Sequence, residues 1–132
     1  MTNNAVQKNA DIPGQSLAIL AESLYLINLL LLPGIAFLIL AVLFFKYESK
    51  APSLAGCHLR QTFSASIWAG LVLILLNGVI LLIGGYQAPY TWVIVILNFV
   101  LFHATFVFLG IFGLVNALVG KGFHYPLIGP TC

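Results

Sequence analysis

Three long apolar stretches dominate the pattern of this chain, at residues 24–45, 63–83 and 92–119. None of them contains Asp, Glu, Lys or Arg, and each is longer than the roughly 18 residues expected of a membrane-spanning helix. A helix of that length crosses the hydrocarbon core of a bilayer, which is about 30 Å thick. The pattern therefore predicts an all-α integral membrane protein, built as a three-span transmembrane helical bundle.

Polar segments divide the chain into a tail with an interfacial turn at 1–23, a transmembrane domain at 24–119 and a C-terminal tail at 120–132. The short glycine- and proline-containing turn at 84–90 predicts that the second and third spans are antiparallel neighbours. Inside the first stretch, Pro33 and Gly34 interrupt regular helical hydrogen bonding. The sequence leaves open whether that helix is kinked there or forms a re-entrant loop.

Composition and charge agree with a membrane protein. Hydrophobic residues make up 61% of the chain and charged residues 6%, against about 25% charged residues in an average soluble domain. A nucleic-acid partner is not expected, because the net charge is only +2 and the basic residues are not clustered. We expect membrane lipids, other membrane subunits or further copies of this chain as partners.

The basic residues also predict an orientation. Four of the five lie in the first connection or in the C-terminal tail, namely Lys46, Lys50, Arg60 and Lys121. Three spans would place those two segments on one side, and the positive-inside rule makes that side cytoplasmic. We therefore expect the N-terminus outside and the C-terminus in the cytoplasm, where Cys57 and Cys132 would be free thiols.

Small and polar residues recur along one face of the second and of the third predicted helix. They are Ser66, Gly70, Asn77 and Gly84 on the second, and Asn98, Thr105, Gly113, Asn116 and Gly120 on the third. Such residues let membrane helices approach closely and form hydrogen bonds between them. We expect these faces to pack against each other or against the first helix. A polar path lined by Asn77 and Asn98, or a partner-binding seam, remains an alternative.

His103 lies near the middle of the third stretch, where an ionisable side chain is a functional candidate by default. A haem or metal site would need a second ligand at that depth, but His58 and His124 lie at the edge of the apolar stretches. We favour a neutral His103 hydrogen-bonded to a neighbouring helix, with a lipid or protein contact or a cofactor ligand as alternatives.

Phosphate-binding loops, zinc motifs and nucleophile motifs are absent from the sequence. We therefore expect no enzyme and assign no catalytic, cofactor-binding or metal residues.

Two segments, residues 46–68 and 116–127, resemble a family of small bacterial membrane proteins of unassigned function. That family belongs to the same broad group as the channel-forming component of the chloroplast inner-envelope import machinery. The matching positions are Lys46, Glu48, Ser49, His58, Arg60, Gln61, Ala117, Gly120, Lys121, Phe123, Tyr125, Pro126 and Leu127. The chain departs from the family at Thr62-Phe63, where Asn-Phe is typical. The resemblance implies a three- or four-span bundle in a bacterial inner membrane, and implies no activity.

The matched polar residues suggest a cluster at the cytoplasmic rim of the bundle, where they would anchor the protein to lipid headgroups or form a small docking surface. With His103, the candidate partner or lipid contacts are Lys46, Glu48, His58, Arg60, Lys121 and Tyr125. Two functions are compatible with this. The first is an accessory or scaffold subunit that packs against a larger membrane complex. The alternative is a component of an oligomeric transport or translocation channel.

Overall fold

The computed structural model describes residues 12–130, which form four helices and no strand within that range. The helices are α1 (Gln15–Leu30), α2 (Ile35–Tyr47), α3 (Ser53–Gly84) and α4 (Pro89–Leu118). α3 is continuous but contains a π-helical turn at Leu71–Leu76. Residues 119–130 form a tail without regular secondary structure. The predicted all-helical class is confirmed.

The first apolar stretch does not form one helix, because it is interrupted at Pro33 and Gly34. Proline cannot continue the helix beyond Leu30, and it also disfavours helical backbone at the residue before it. Gly34 adopts a φ of +89°, which side-chain-bearing residues rarely reach. Its N–H donates to Asn28 Oδ1 at 2.9 Å, which fixes the turn. The prediction of one span over 24–45 is therefore wrong.

α1 and α2 form a hairpin too short to cross a bilayer. Their 16 and 13 residues correspond to about 24 and 20 Å, against an apolar core of about 30 Å. Ala21 and Leu24 of α1 pack against Ala36 and Leu40 of α2 in one buried cluster. In the described chain, two helices are long and apolar enough to cross a membrane, α3 and α4 with 32 and 30 residues. The first predicted span, 24–45, is absent because the turn reverses the chain.

The hairpin brings the beginning and the end of the described chain together. We call the end of the bundle formed by the α2–α3 connection and the tail 119–130 the polar end, and the α3–α4 turn the far end. At the polar end, the Gln15 side chain donates to the Leu118 carbonyl at 2.8 Å. The prediction that the two termini lie on opposite sides depended on three crossings. The structure places Gln15 and Leu118 side by side.

The tip of the hairpin reaches only the middle of α4. There, His103 Nε2 donates to the Leu29 carbonyl at 3.0 Å. Towards the far end, α3 and α4 pack against each other, and Asn98 Nδ2 donates to Asn77 Oδ1 at 2.9 Å. The bundle therefore has four helices in its polar half and two in its far half.

Cys57 lies near the start of α3, at the polar end. It is buried and disulfide-bonded. The expectation of free thiols is therefore wrong for Cys57, while Cys132 lies outside the described residues.

Candidate functional site

A buried polar network connects three separate segments at the polar end. Glu22 of α1, His58 of α3 and Tyr125 of the tail are all fully buried. His58 Nδ1 lies 2.6 Å from Glu22 Oε1, and the Tyr125 hydroxyl donates to Glu22 Oε2 at 2.6 Å. Both carboxyl oxygens of Glu22 therefore have a partner, as a buried acidic group requires.

The hydrogen bonds of His58 define where its protons lie. His58 Nε2 is 2.8 Å from the Lys121 carbonyl, which can only accept, so Nε2 must have a hydrogen. A second hydrogen lies between Nδ1 and Glu22 Oε1. The pair is thus either an imidazolium with a carboxylate or its neutral equivalent, and both forms keep the same contacts.

Glu22 and Tyr125 lie outside the two spanning helices, and burial is the main influence on the pKa of each. It raises the pKa of the Glu22 carboxyl, while the hydrogen bonds from His58 and Tyr125 oppose that shift. Burial, together with the neighbouring Glu22 charge, also raises the pKa of the Tyr125 hydroxyl. Tyr125 therefore remains a protonated donor at physiological pH.

Further contacts hold the tail against α3. Gln61 Oε1 accepts from the Tyr125 backbone N–H at 3.0 Å, and Gln61 Nε2 donates to the Pro130 carbonyl. The Ser64 hydroxyl donates to the Ile128 carbonyl at 2.6 Å. These bonds satisfy backbone groups of an irregular segment that has no secondary structure of its own.

Two glycines of α4 make room for α1 beside this network. A Cβ at Gly113 would lie 2.6 Å from the carboxyl carbon of Glu22, and one at Gly110 would lie 2.6 Å from the Tyr25 ring. Tyr25 in turn donates to the Phe106 carbonyl at 3.0 Å. The α1–α4 contact is therefore a close approach through small residues, as is common between membrane helices.

We predict that Gly113→Ala destabilises the protein by about 1–3 kcal/mol, the usual cost of overpacking. The added methyl group would displace the Glu22 carboxyl from His58 and Tyr125. Thermal unfolding in detergent, followed by circular dichroism, measures the effect. Gly78→Ala is the matched control, because no atom lies within 4 Å of a Cβ placed there. Equal stability of the two variants would contradict the close approach.

The structure separates the predicted partner or lipid contacts into three groups. Lys46 and Lys121 are exposed. Arg60 Nη1 forms a partly exposed salt bridge with Glu48 Oε1 at 3.1 Å. The placement of His58 and Tyr125 at the surface is wrong, because the tail and α1 cover them completely.

The predicted packing residues divide in a similar way. Asn77 contacts Asn98, Gly84 lies against Thr91, Gly113 lies against Glu22, and Gly120 lies against Ile12. The hydroxyl of Thr105 and the amide of Asn116 instead bond to carbonyls of their own helix, so the structure does not place them at a helix interface. Ser66 and Gly70 line a cavity below the hairpin tip.

His103 holds the hairpin tip. Its Nε2 donates to a carbonyl in the last turn of α1, where helical carbonyls lack a partner within the helix. Phe99 stacks on the imidazole, with 5.4 Å between ring centroids. This is a hydrogen bond to a neighbouring helix, and residues 12–130 contain no group of three His, Cys, Asp or Glu side chains that could hold a metal ion.

The Glu22–His58–Tyr125 network is suited to holding segments together rather than to chemistry on a substrate. All three side chains are fully buried, and their polar atoms contact protein groups. Sequence reasoning missed Glu22 as a member of this network and Tyr25 and Thr62 as its neighbours. The Thr62 hydroxyl donates to the His58 carbonyl at 2.7 Å. The only charged residue of the otherwise uncharged α1 was the available signal for Glu22.

Comparison of the chain with protein-family models, curated proteins and solved structures gave no match.

Proposed function

We propose that this chain is a non-catalytic integral membrane protein that crosses the bilayer twice and works as an accessory subunit of a larger membrane complex. Its α1–α2 hairpin would enter the membrane from the polar end and return. Irregular backbone is tolerated at such depth only where protein or a cavity surrounds it. The bonds of Gly34 to Asn28 and of His103 to Leu29 satisfy two polar groups of the turn, and a partner would have to cover residues 30–35, which are exposed.

The observation that supports the subunit role is the exposed apolar surface in the half of the bundle that has only two helices. In the far half, only α3 and α4 are present, and large apolar side chains such as Leu75 (59% exposed) and Leu82 (86%) point outwards. The polar half also exposes apolar side chains of α2, such as Phe45 (77% exposed), but four helices pack together there. An exposed apolar surface beside a missing third helix is suited to a partner's transmembrane helix.

The polar end is proposed to face the cytoplasm. It contains Lys46, Lys50, Arg60 and Lys121, while the far turn at 85–88 contains no basic residue. The disulfide of Cys57 is an opposing indicator, because disulfides are rare in reducing compartments. The basic residues set the orientation when the helices enter the membrane, whereas a disulfide forms only later. The proposed location is a bacterial inner membrane.

We predict that a fluorescent reporter that folds only in the cytoplasm will be active when fused to either terminus of the full chain. Two crossings place both ends on one side, whereas three crossings would silence one fusion. The same reporter inserted into the far turn at 85–88 is the control and should be dark. Activity at only one terminus would contradict the re-entrant hairpin. Darkness at both termini with activity at the far turn would reverse the proposed orientation.

Purification of the tagged full chain in mild detergent tests the subunit role. We expect a defined partner in a fixed ratio. The double variant Leu75→Lys and Leu82→Lys should lose that partner, because charge on the far half of the bundle opposes helix packing. A matched change to the polar end, Lys50→Ala, should retain it. Recovery of the unaltered chain as a lone monomer would oppose the proposal.

The hairpin also favours a second candidate, a component of an oligomeric transport or translocation channel. Substrate sites of many transporters lie near the bilayer midplane beside interrupted helices, and the α1–α2 turn is such an interruption. Several copies or a partner would be needed to enclose a pore. Reconstitution of the purified oligomer in liposomes tests this, and vesicles that remain tight to ions and small solutes would exclude it.

A further inference from the structure

A cavity of about 610 Å³ lies directly below the hairpin tip. It is bounded by Asn28 and Pro33 of the hairpin, by Ser66 and Leu71 of α3, and by His103 of α4. Its volume is within the usual range for small-molecule sites, about 300–1,000 Å³. The cavity is therefore large enough for part of a lipid-sized molecule.

The cavity opens towards the apolar outer surface of the bundle. Ile67, Leu71 and Ile74 form part of its lining and are themselves exposed. No Lys, Arg, Asp or Glu is among the lining residues. A charged molecule would therefore lose its hydration there without compensation, whereas an uncharged apolar one would not.

One polar atom in this wall has no partner. Ser66 is 5% exposed. Among the buried side-chain nitrogen and oxygen atoms of residues 12–130, its hydroxyl oxygen is the one without a hydrogen-bond partner. An unsatisfied buried hydroxyl costs about 1–3 kcal/mol, so native proteins rarely retain one without reason. A ligand with an oxygen atom at this point would satisfy it.

The backbone of α3 departs from regular α-helix soon after Ser66, where the cavity continues. The π-helical turn Leu71–Leu76 begins one residue after Gly70, and π-helical turns inside α-helices often occur at functional sites. A Cβ at Gly70 would meet no atom within 4 Å, because the cavity lies beside it. The missing side chain and the wider turn both enlarge the space next to the hydroxyl.

We propose that this cavity binds one uncharged, long-chain apolar molecule from the bilayer through a single hydroxyl or carbonyl group that hydrogen-bonds to Ser66. The apolar body would lie against Leu71 and Phe99 and extend through the opening into the surrounding lipid. This inference depends on the membrane placement of the bundle. It does not depend on the accessory-subunit role, so it can fail while the partner purification succeeds.

Photolabelling of the full chain in phosphatidylcholine vesicles tests the proposal. The probe is octadecanol with a diazirine in its chain, and the reference is the same diazirine chain without the hydroxyl. Peptide mapping should locate the octadecanol label on cavity residues of α3 and α4, and excess unlabelled octadecanol should remove most of it. The hydroxyl-free chain should label the cavity at least fivefold less.

Three variants distinguish the cavity from general lipid contact. Gly70→Leu fills the cavity and should lower labelling at least fivefold, whereas Gly78→Leu, at a glycine that is equally open but outside the lining, should not. Ser66→Ala should also lose the octadecanol preference while unfolding at the same or a higher temperature, because it removes an unpaired buried hydroxyl. Labelling spread evenly over exposed residues, or unchanged by Gly70→Leu, would overturn the proposal. The proposal would also be overturned if cross-linking in native membranes showed that a partner protein already fills the cavity.

Discussion

Glu22→Ala is expected to lower the free energy of unfolding by about 3–5 kcal/mol, the usual cost of removing one member of a buried ionic pair. The variant leaves the fully buried His58 without its acceptor and Tyr125 without the oxygen to which it donates. It also leaves a void between α1 and α4, next to Gly113. Thermal or chemical unfolding in detergent measures the loss.

Glu48→Ala is the matched control. Glu48 also forms a salt bridge, but both side chains of that pair are about one-third exposed. Exposed pairs contribute about 0–1 kcal/mol because water and salt screen them. Equal effects at Glu22 and Glu48 would show that the buried network does not hold the polar end together. A double-mutant cycle of Glu22→Ala with His58→Ala should give a coupling energy well above that of Glu48 with Arg60.

Tyr125→Ala is expected to have the second-largest effect, about 3–5 kcal/mol for removal of a large buried aromatic side chain. The Tyr125 ring meets Tyr25 edge-to-face at 5.7 Å and Phe123 at 5.1 Å, so its loss opens the core between the tail and α1. The tail should then detach locally. Limited trypsin digestion at Lys121 reports that detachment, and unfolding in detergent reports the loss of stability.

Two further variants separate packing from hydrogen bonding at this position. Tyr125→Phe keeps the ring but leaves Glu22 Oε2 without its donor, and should cost about 1–3 kcal/mol. Tyr86→Ala removes a tyrosine that is 68% exposed at the far end and should leave Lys121 protected from trypsin. If Tyr125→Phe were as damaging as Tyr125→Ala, the hydrogen bond rather than the ring would hold the tail.

The sequence was sufficient to predict the two long helices. The predicted stretches 63–83 and 92–119 lie almost entirely within α3 and α4, because uncharged apolar runs of that length form helices in most contexts. α3 nevertheless begins earlier, at Ser53, since its first turns are buried by α1 and by the tail. Hydropathy does not indicate where a helix begins when its first turns are buried by protein rather than by lipid.

The direction of the chain after Pro33 could not be read from local signals. Pro33 and Gly34 showed that the helix is interrupted, but both a kink and a reversal agree with that pattern. The reversal is held by Asn28 and by His103, and the second of these lies far away in the sequence. A contact at such separation leaves no periodicity that a single sequence reveals.

The network at the polar end was only partly predictable. His58 and Tyr125 were identified as notable, but their polar character suggested a surface position. They are buried because residues 119–130 fold back over α3, and Gln61 and Ser64 hold that segment through backbone carbonyls and an N–H. Bonds to backbone groups do not depend on the residue type of the partner, so the sequence of the tail does not indicate them.

The position of Glu22 in the chain has a consequence for biosynthesis. α1 leaves the ribosome before the other three helices, and its partners His58, His103 and Tyr125 are translated later. Until then, the Glu22 carboxyl and the Leu29 carbonyl lack these hydrogen-bond partners. The earliest of the four helices is therefore the last to gain all its contacts. A ribosome that stalls before the tail would leave a product with an unpaired acidic group that quality-control proteases can recognise.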